Sequence, residues 1–126
     1  MNTNKRSKNI NDKLDSPDPK ERISVLSCIA FERTDGHLEK IVWIMLHDPV
    51  DEARERAAYA LDNFNDSKAL PALIKAIHDP SWGVRSTAGW ALVHLGEIVR
   101  NDVTNVLEKS TNPGAIEMAK LILVRL

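Results

Sequence analysis

The sequence predicts an all-α fold, a right-handed α-solenoid of about four stacked helical hairpins. Three observations predict it: a segment recurs at spacings of 32 and 31 residues, apolar residues in each copy keep helical spacing, and no stretch alternates with the period of a strand. The recurring segments are Leu14-Asp15-Ser16-Pro17-Asp18-Pro19-Lys20-Glu21-Arg22, Leu46-His47-Asp48-Pro49-Val50-Asp51-Glu52-Ala53-Arg54 and Ile77-His78-Asp79-Pro80-Ser81-Trp82-Gly83-Val84-Arg85. Small or apolar residues follow at matched offsets: Val25, Cys28 and Ile29, then Ala57, Ala60 and Leu61, then Ala88, Ala91 and Leu92. A fourth, worn copy starts near Leu107 and passes through Asn112-Pro113 to Ala119, Ile122 and Leu123, without the Asp or the Arg.

Residues 1–8 read as a flexible basic tail, and residues 9–126 as one repeat domain with units at about 9–33, 34–65, 66–96 and 97–126. The first unit opens on a short cap in which only Ile10 and Leu14 share a face. In the second unit, Leu38, Ile41, Val42, Met45 and Leu46 form an amphipathic stripe. Asp48-Pro49 ends it, because proline cannot continue the hydrogen-bond ladder. The next helix starts near Val50–Asp51, where Asp51 and Glu52 suit its positive end, and stops at Asn65-Asp66. In the third unit Asp66 or Ser67 caps a helix holding Leu70, Leu73, Ile74 and Ile77, with Pro71 in the tolerant first turn. Gly96 closes the helix after it. Hairpins of this kind bury their apolar stripes only by stacking, which yields a curved solenoid.

The pattern D-P-x-x-x-x-R-x-x-A-x-x-A-L, at Asp48 to Leu61 and again at Asp79 to Leu92, resembles the HEAT repeat. It is most similar to the short E–Z type named after phycobilin lyases, over about Leu14 to Leu126. The resemblance implies a hydrogen-bonded ladder between adjacent repeats, mapped here onto Asp48 with Arg54 and Asp79 with Arg85. Ser16 stands in the Asp slot of the first copy, which implies a freer Arg22.

Seventeen basic against eighteen acidic residues give a formal charge of −1, so nothing draws the whole chain to nucleic acid or anionic lipid. The basic cluster Lys5-Arg6-Lys8 is too small for the phosphate contacts that dominate nucleic-acid affinity. The longest apolar run, Ile41 to Leu46, is far too short to span a bilayer, and the polar Met1–Ser16 lacks an apolar secretion signal. A cytoplasmic protein is expected. The single Cys28 excludes an internal disulfide and falls in a slot held by alanine elsewhere, so a buried, inert thiol is expected. His47 and His78 both precede the turn aspartate, where a histidine meets the negative helix end. Nothing in the chain builds a catalytic constellation, a phosphate loop or a metal-ligand set, so no enzyme activity, cofactor or metal is expected.

Candidate binding residues come from large side chains in slots where the repeat holds small or polar ones. Tyr59 and Trp90 each lie five residues after their unit's Arg, on the stripe that lines the concave face of such solenoids. Glu55 and Arg56 flank Tyr59; Ser86 and His94 flank Trp90. Trp82, in a turn that is polar in the other copies, is a second contact candidate, whereas Trp43 is expected to pack. Tyr, Trp and Arg dominate binding hot spots. The expected function is therefore a non-enzymatic protein–protein interaction module gripping its partner in the groove, as a dedicated immunity-type inhibitor or an adaptor. The repeat subtype implies an alternative, an accessory or lyase role in tetrapyrrole (bilin) attachment. Ile116, Leu121 and Leu126 at the solenoid end suggest a homodimer.

Overall fold

A computed structural model describes residues 3–34 and 36–126, with the side chains of 3–8 left out. Among the described residues there are eight α-helices and no strand: α1 (Thr3–Leu14), α2 (Pro19–Glu32), α3 (Leu38–His47), α4 (Asp51–Phe64), α5 (Leu70–Ala76), α6 (Trp82–Leu95), α7 (Arg100–Lys109) and α8 (Pro113–Arg125). Short 3-10 turns at Ser67–Ala69 and Gly96–Val99 lead into α5 and α7. Helical backbone starts at Thr3, ahead of the short cap expected from Asn9, and no glycine or proline interrupts the run to Leu14. The side chains of Lys5, Arg6 and Lys8, in the expected basic tail, lie outside the described residues.

One device builds all four hairpin turns. The side chain of Ser16, Asp48, Asp79 or Ser110 accepts from the backbone N–H two residues on, at 2.9–3.1 Å. A serine hydroxyl makes the same turn, more weakly than a carboxylate, so the turn survives where the Asp is lost. Beyond the turns, Asp18 and Asn112 cap α2 and α8 ahead of Pro19 and Pro113, and Asp66 caps the turn into α5. Asn65 and Gly96 close α4 and α6 with positive φ (50° and 84°).

Each odd helix packs on the even helix that follows it, and α2, α4, α6 and α8 also pack side by side in a continuous row. The odd helices touch one another less, which makes the even row the inner, concave side. Small residues permit the close row: Ala53, Ala57, Ala58, Ala60, Ala88, Ala91, Ala115 and Ala119 are all buried. At Gly89 even a Cβ would stand 2.6 Å from Met118 Sδ, so glycine is what lets α8 reach α6.

The ends of the row differ from its middle. The slot holding Ala60, Ala91 and Ile122 faces the preceding unit and is buried. Cys28 occupies that slot on α2, which has no even helix before it, so the thiol is exposed rather than buried as expected. The slot of Leu26, Ala58 and Gly89 faces the following unit; on α8 it holds exposed Lys120. A charged residue there makes the side of α8 turned away from α6 partly polar.

Candidate functional site

The turn edge carries the ladder in an offset form. Arg22 donates from Nε and Nη2 to both carboxylate oxygens of Asp48 (2.8 and 3.0 Å), and Arg54 does the same to Asp79 (2.9 and 3.1 Å). Each of these arginines, and Arg85, also sends Nη1 to the backbone carbonyl at the start of its own turn: Ser16, Asp48 and Asp79 respectively (2.7–2.9 Å). Asp48 and Arg54 therefore belong to different rungs, and so do Asp79 and Arg85. Arg22, expected to be freer, is fully engaged, because the Nε/Nη2 edges of Arg22 and Arg54 grip the carboxylate of the next unit while their own turns supply only a backbone carbonyl. The arginine left over is Arg85, since Ser110 stands where its aspartate would be. Its Nε is buried without an acceptor, and its guanidinium lies over the ring of Trp82, 5.6 Å from the centroid.

Around the corner from this edge, α6 and α8 frame an apolar groove of about 160 Å³ lined by Trp82, Ser86, Trp90, Met118, Leu121 and Arg125 among others. Trp82 and Trp90 sit eight residues apart on one helix, which puts them on the same face. They are 55% and 46% exposed, large values for tryptophan in a folded chain. The Arg125 guanidinium covers one face of Trp90 (5.1 Å). His94 stacks beside Trp90 and pairs through Nδ1 with Asp62 of the previous unit (2.6 Å), which fixes the indole's neighbour in place.

The residues expected to bind thus fall into two groups. Trp82, Ser86 and Trp90 line one groove, with His94 against its rim. Tyr59, 47% exposed, and exposed Arg56 lie on α4, outside it. Glu55 presses its carboxylate against Gly83 beneath Trp82, in the space a Cβ would fill. Sequence reasoning missed Met118 and Arg125 and assigned Leu121 to a dimerising solenoid end, although Leu121 continues the Tyr59–Trp90 register by the same 31-residue step that separates those two. Trp43 is expected to pack, but it is 58% exposed, stacks on His47 (4.9 Å) and lines the open cleft between α1 and α3. His47 and His78 bond through Nδ1 to carbonyls four residues back (3.1 and 3.0 Å), at the helix ends where they were expected.

A larger open cleft, about 1160 Å³, separates α1 from α3. Its polar groups answer one another: His37 with Asn11 (3.0 Å) and Lys40 with Asp15 (2.6 Å). Among the described residues no group of three or more His, Cys, Asp or Glu is placed to hold a metal, and no helix is long and apolar enough to cross a membrane.

A family model for HEAT repeats matches residues 38–118, from the start of α3 into α8. The chain belongs to the HEAT repeat family. Comparison with curated proteins gives no match. HEAT repeats as a rule mediate protein–protein contacts without catalysing reactions.

Proposed function

We propose that this HEAT repeat protein is a non-enzymatic interaction module that holds a partner protein in the groove between α6 and α8. One observation carries the reading: two half-exposed tryptophans, Trp82 and Trp90, line an apolar cleft completed by Leu121 and Met118 and flanked by Arg125. Exposing that much indole costs hydration free energy in the free protein, and burying it against a partner recovers about 25 cal/mol per Å². Trp and Arg are also the residues from which interface hot spots are built. Tyr59, on the next helix along the row, extends the surface toward the middle of the solenoid.

Affinity capture from the source cell's lysate tests this, comparing wild type with Trp82→Ala/Trp90→Ala after circular dichroism shows both folded. One protein retained by wild type and lost by the variant supports the groove. Its identity separates the inhibitor role, for which the captured protein is a toxin, from the adaptor role, for which it is a component of a larger complex. Equal recovery of the same proteins by both would overturn the groove as the site.

A further inference from the structure

The ladder contains three arginines, Arg22, Arg54 and Arg85, and two aspartates, Asp48 and Asp79. The molecule therefore shows twice what an arginine in this position binds. In both filled rungs the Nε/Nη2 edge grips a carboxylate with two near-parallel bonds of 2.8–3.1 Å while Nη1 holds a backbone carbonyl. Arg85 keeps the carbonyl bond and adds a second from Nη1 to Pro80 O (3.0 Å), but its Nε/Nη2 edge has no acceptor.

Asp79 and Ser110, the two groups the ladder places beside it, are already engaged. Both oxygens of Asp79 are taken by Arg54, one of them also by the Ser81 N–H. Ser110 Oγ accepts from the Asn112 N–H and faces His78 Nε2 at 3.3 Å. Without a carboxylate to hold it, the Arg85 side chain lies against α8, its Nε 3.0 Å from where a Cβ on Gly114 would be. A buried guanidinium donor left unpaired is costly, and a planar two-oxygen acceptor is the group that matches its edge.

We propose that this open third rung takes a carboxylate from the partner. The inference rests on the groove reading above and deepens it: the bound segment carries an Asp or Glu next to the apolar residue that enters the groove. Trp82 makes the connection, because the same ring lies under the Arg85 guanidinium and lines the groove with Trp90. A partner spanning both would complete the ladder at one end and cover the indoles at the other.

The test uses the whole ¹⁵N-labelled chain and acetate as the probe, reading arginine Nε–Hε resonances against sodium chloride at matched ionic strength. The Arg85 signal, identified by its loss in Arg85→Lys, is expected to shift saturably with acetate while those of Arg22 and Arg54 stay still. In Ser110→Asp it is expected to move toward the positions of those two and to stop responding, because the rung is then filled from within. No acetate response, or an equal response to chloride, would overturn the proposal. With the captured partner in hand, Ser110→Asp is expected to weaken retention about tenfold. Retention unchanged by Ser110→Asp but abolished by Trp82→Ala/Trp90→Ala would sink the carboxylate inference and leave the groove standing.

Discussion

The contact between α4 and α6 and the contact between α6 and α8 join the same kinds of helix one step apart, yet they are finished differently. In the first, Ala58 fills the slot facing the next unit and Asp79 closes the rung with Arg54. In the second, that slot is Gly89 under the Met118 thioether, Ser110 leaves the rung open, and a groove runs between the helices. Where the repeat is regular its residues are spent on one another. Where the repeat departs from its own pattern, a buried arginine Nε is left without an acceptor and two indoles are left half-exposed.

The comparison can be broken at the regular contact. Asp79→Ala strips the acceptor from Arg54, only 14% exposed, and the cap from Ser81 N–H, so it is expected to cost about 3–5 kcal/mol. Urea unfolding followed by circular dichroism reads this; a loss below about 1 kcal/mol would mean the filled rungs are as slack as the open one. At the irregular contact, Gly89→Val drives new carbon into Met118 and is expected to cost about 1–3 kcal/mol by the same measurement. A neutral result there would show that α8 can back away and that the groove is not fixed in width.

Ser110→Asp runs the other way. By giving α6–α8 the rung that α4–α6 already has, it is expected to stabilise the chain by about 1–2 kcal/mol, or raise the midpoint by roughly 3–8 °C. An unchanged midpoint would mean that Arg85 cannot return to the ladder position. The smallest expected effect is that of Trp90→Ala on stability, under about 1 kcal/mol, because a side chain 46% exposed contributes little to the core. Against a partner the same change is expected to cost about 2 kcal/mol or more, some thirtyfold in affinity. Equal effects on folding and binding would mark Trp90 as packing.

The fold was readable because its determinants are local and repeated. The Asp48-Pro49 and Asp79-Pro80 turns each end a helix, and Ala57, Ala60, Ala88 and Ala91 mark the close-packed face by spacing alone. The ladder's members were readable too, but not its pairing, since spacing within one unit is silent on which unit an arginine reaches. Cys28 was misplaced for a related reason: its slot is buried only if a helix precedes it, and position along the array is not a property of the slot. Of the candidate site, the Tyr59–Trp90 register and Trp82 were visible as large residues in small slots. That Trp82 and Trp90 share one groove was hidden by reading Trp82 as part of a turn, when it is the first residue of α6. Arg125, Met118 and Leu121 were obscured by the worn fourth unit, where the motif that sets the register is gone.

The chain has three tryptophans, and all three, Trp43, Trp82 and Trp90, are on the surface. Its intrinsic fluorescence therefore reports on the outside of the molecule and not on its core. Denaturant will bare the half of each indole that is still covered and move the emission to the red. A protein that closes over the α6–α8 groove will dry two of the three emitters at once and move the emission to the blue, so an unlabelled sample carries its own optical signal for occupancy, opposite in sign to that of unfolding.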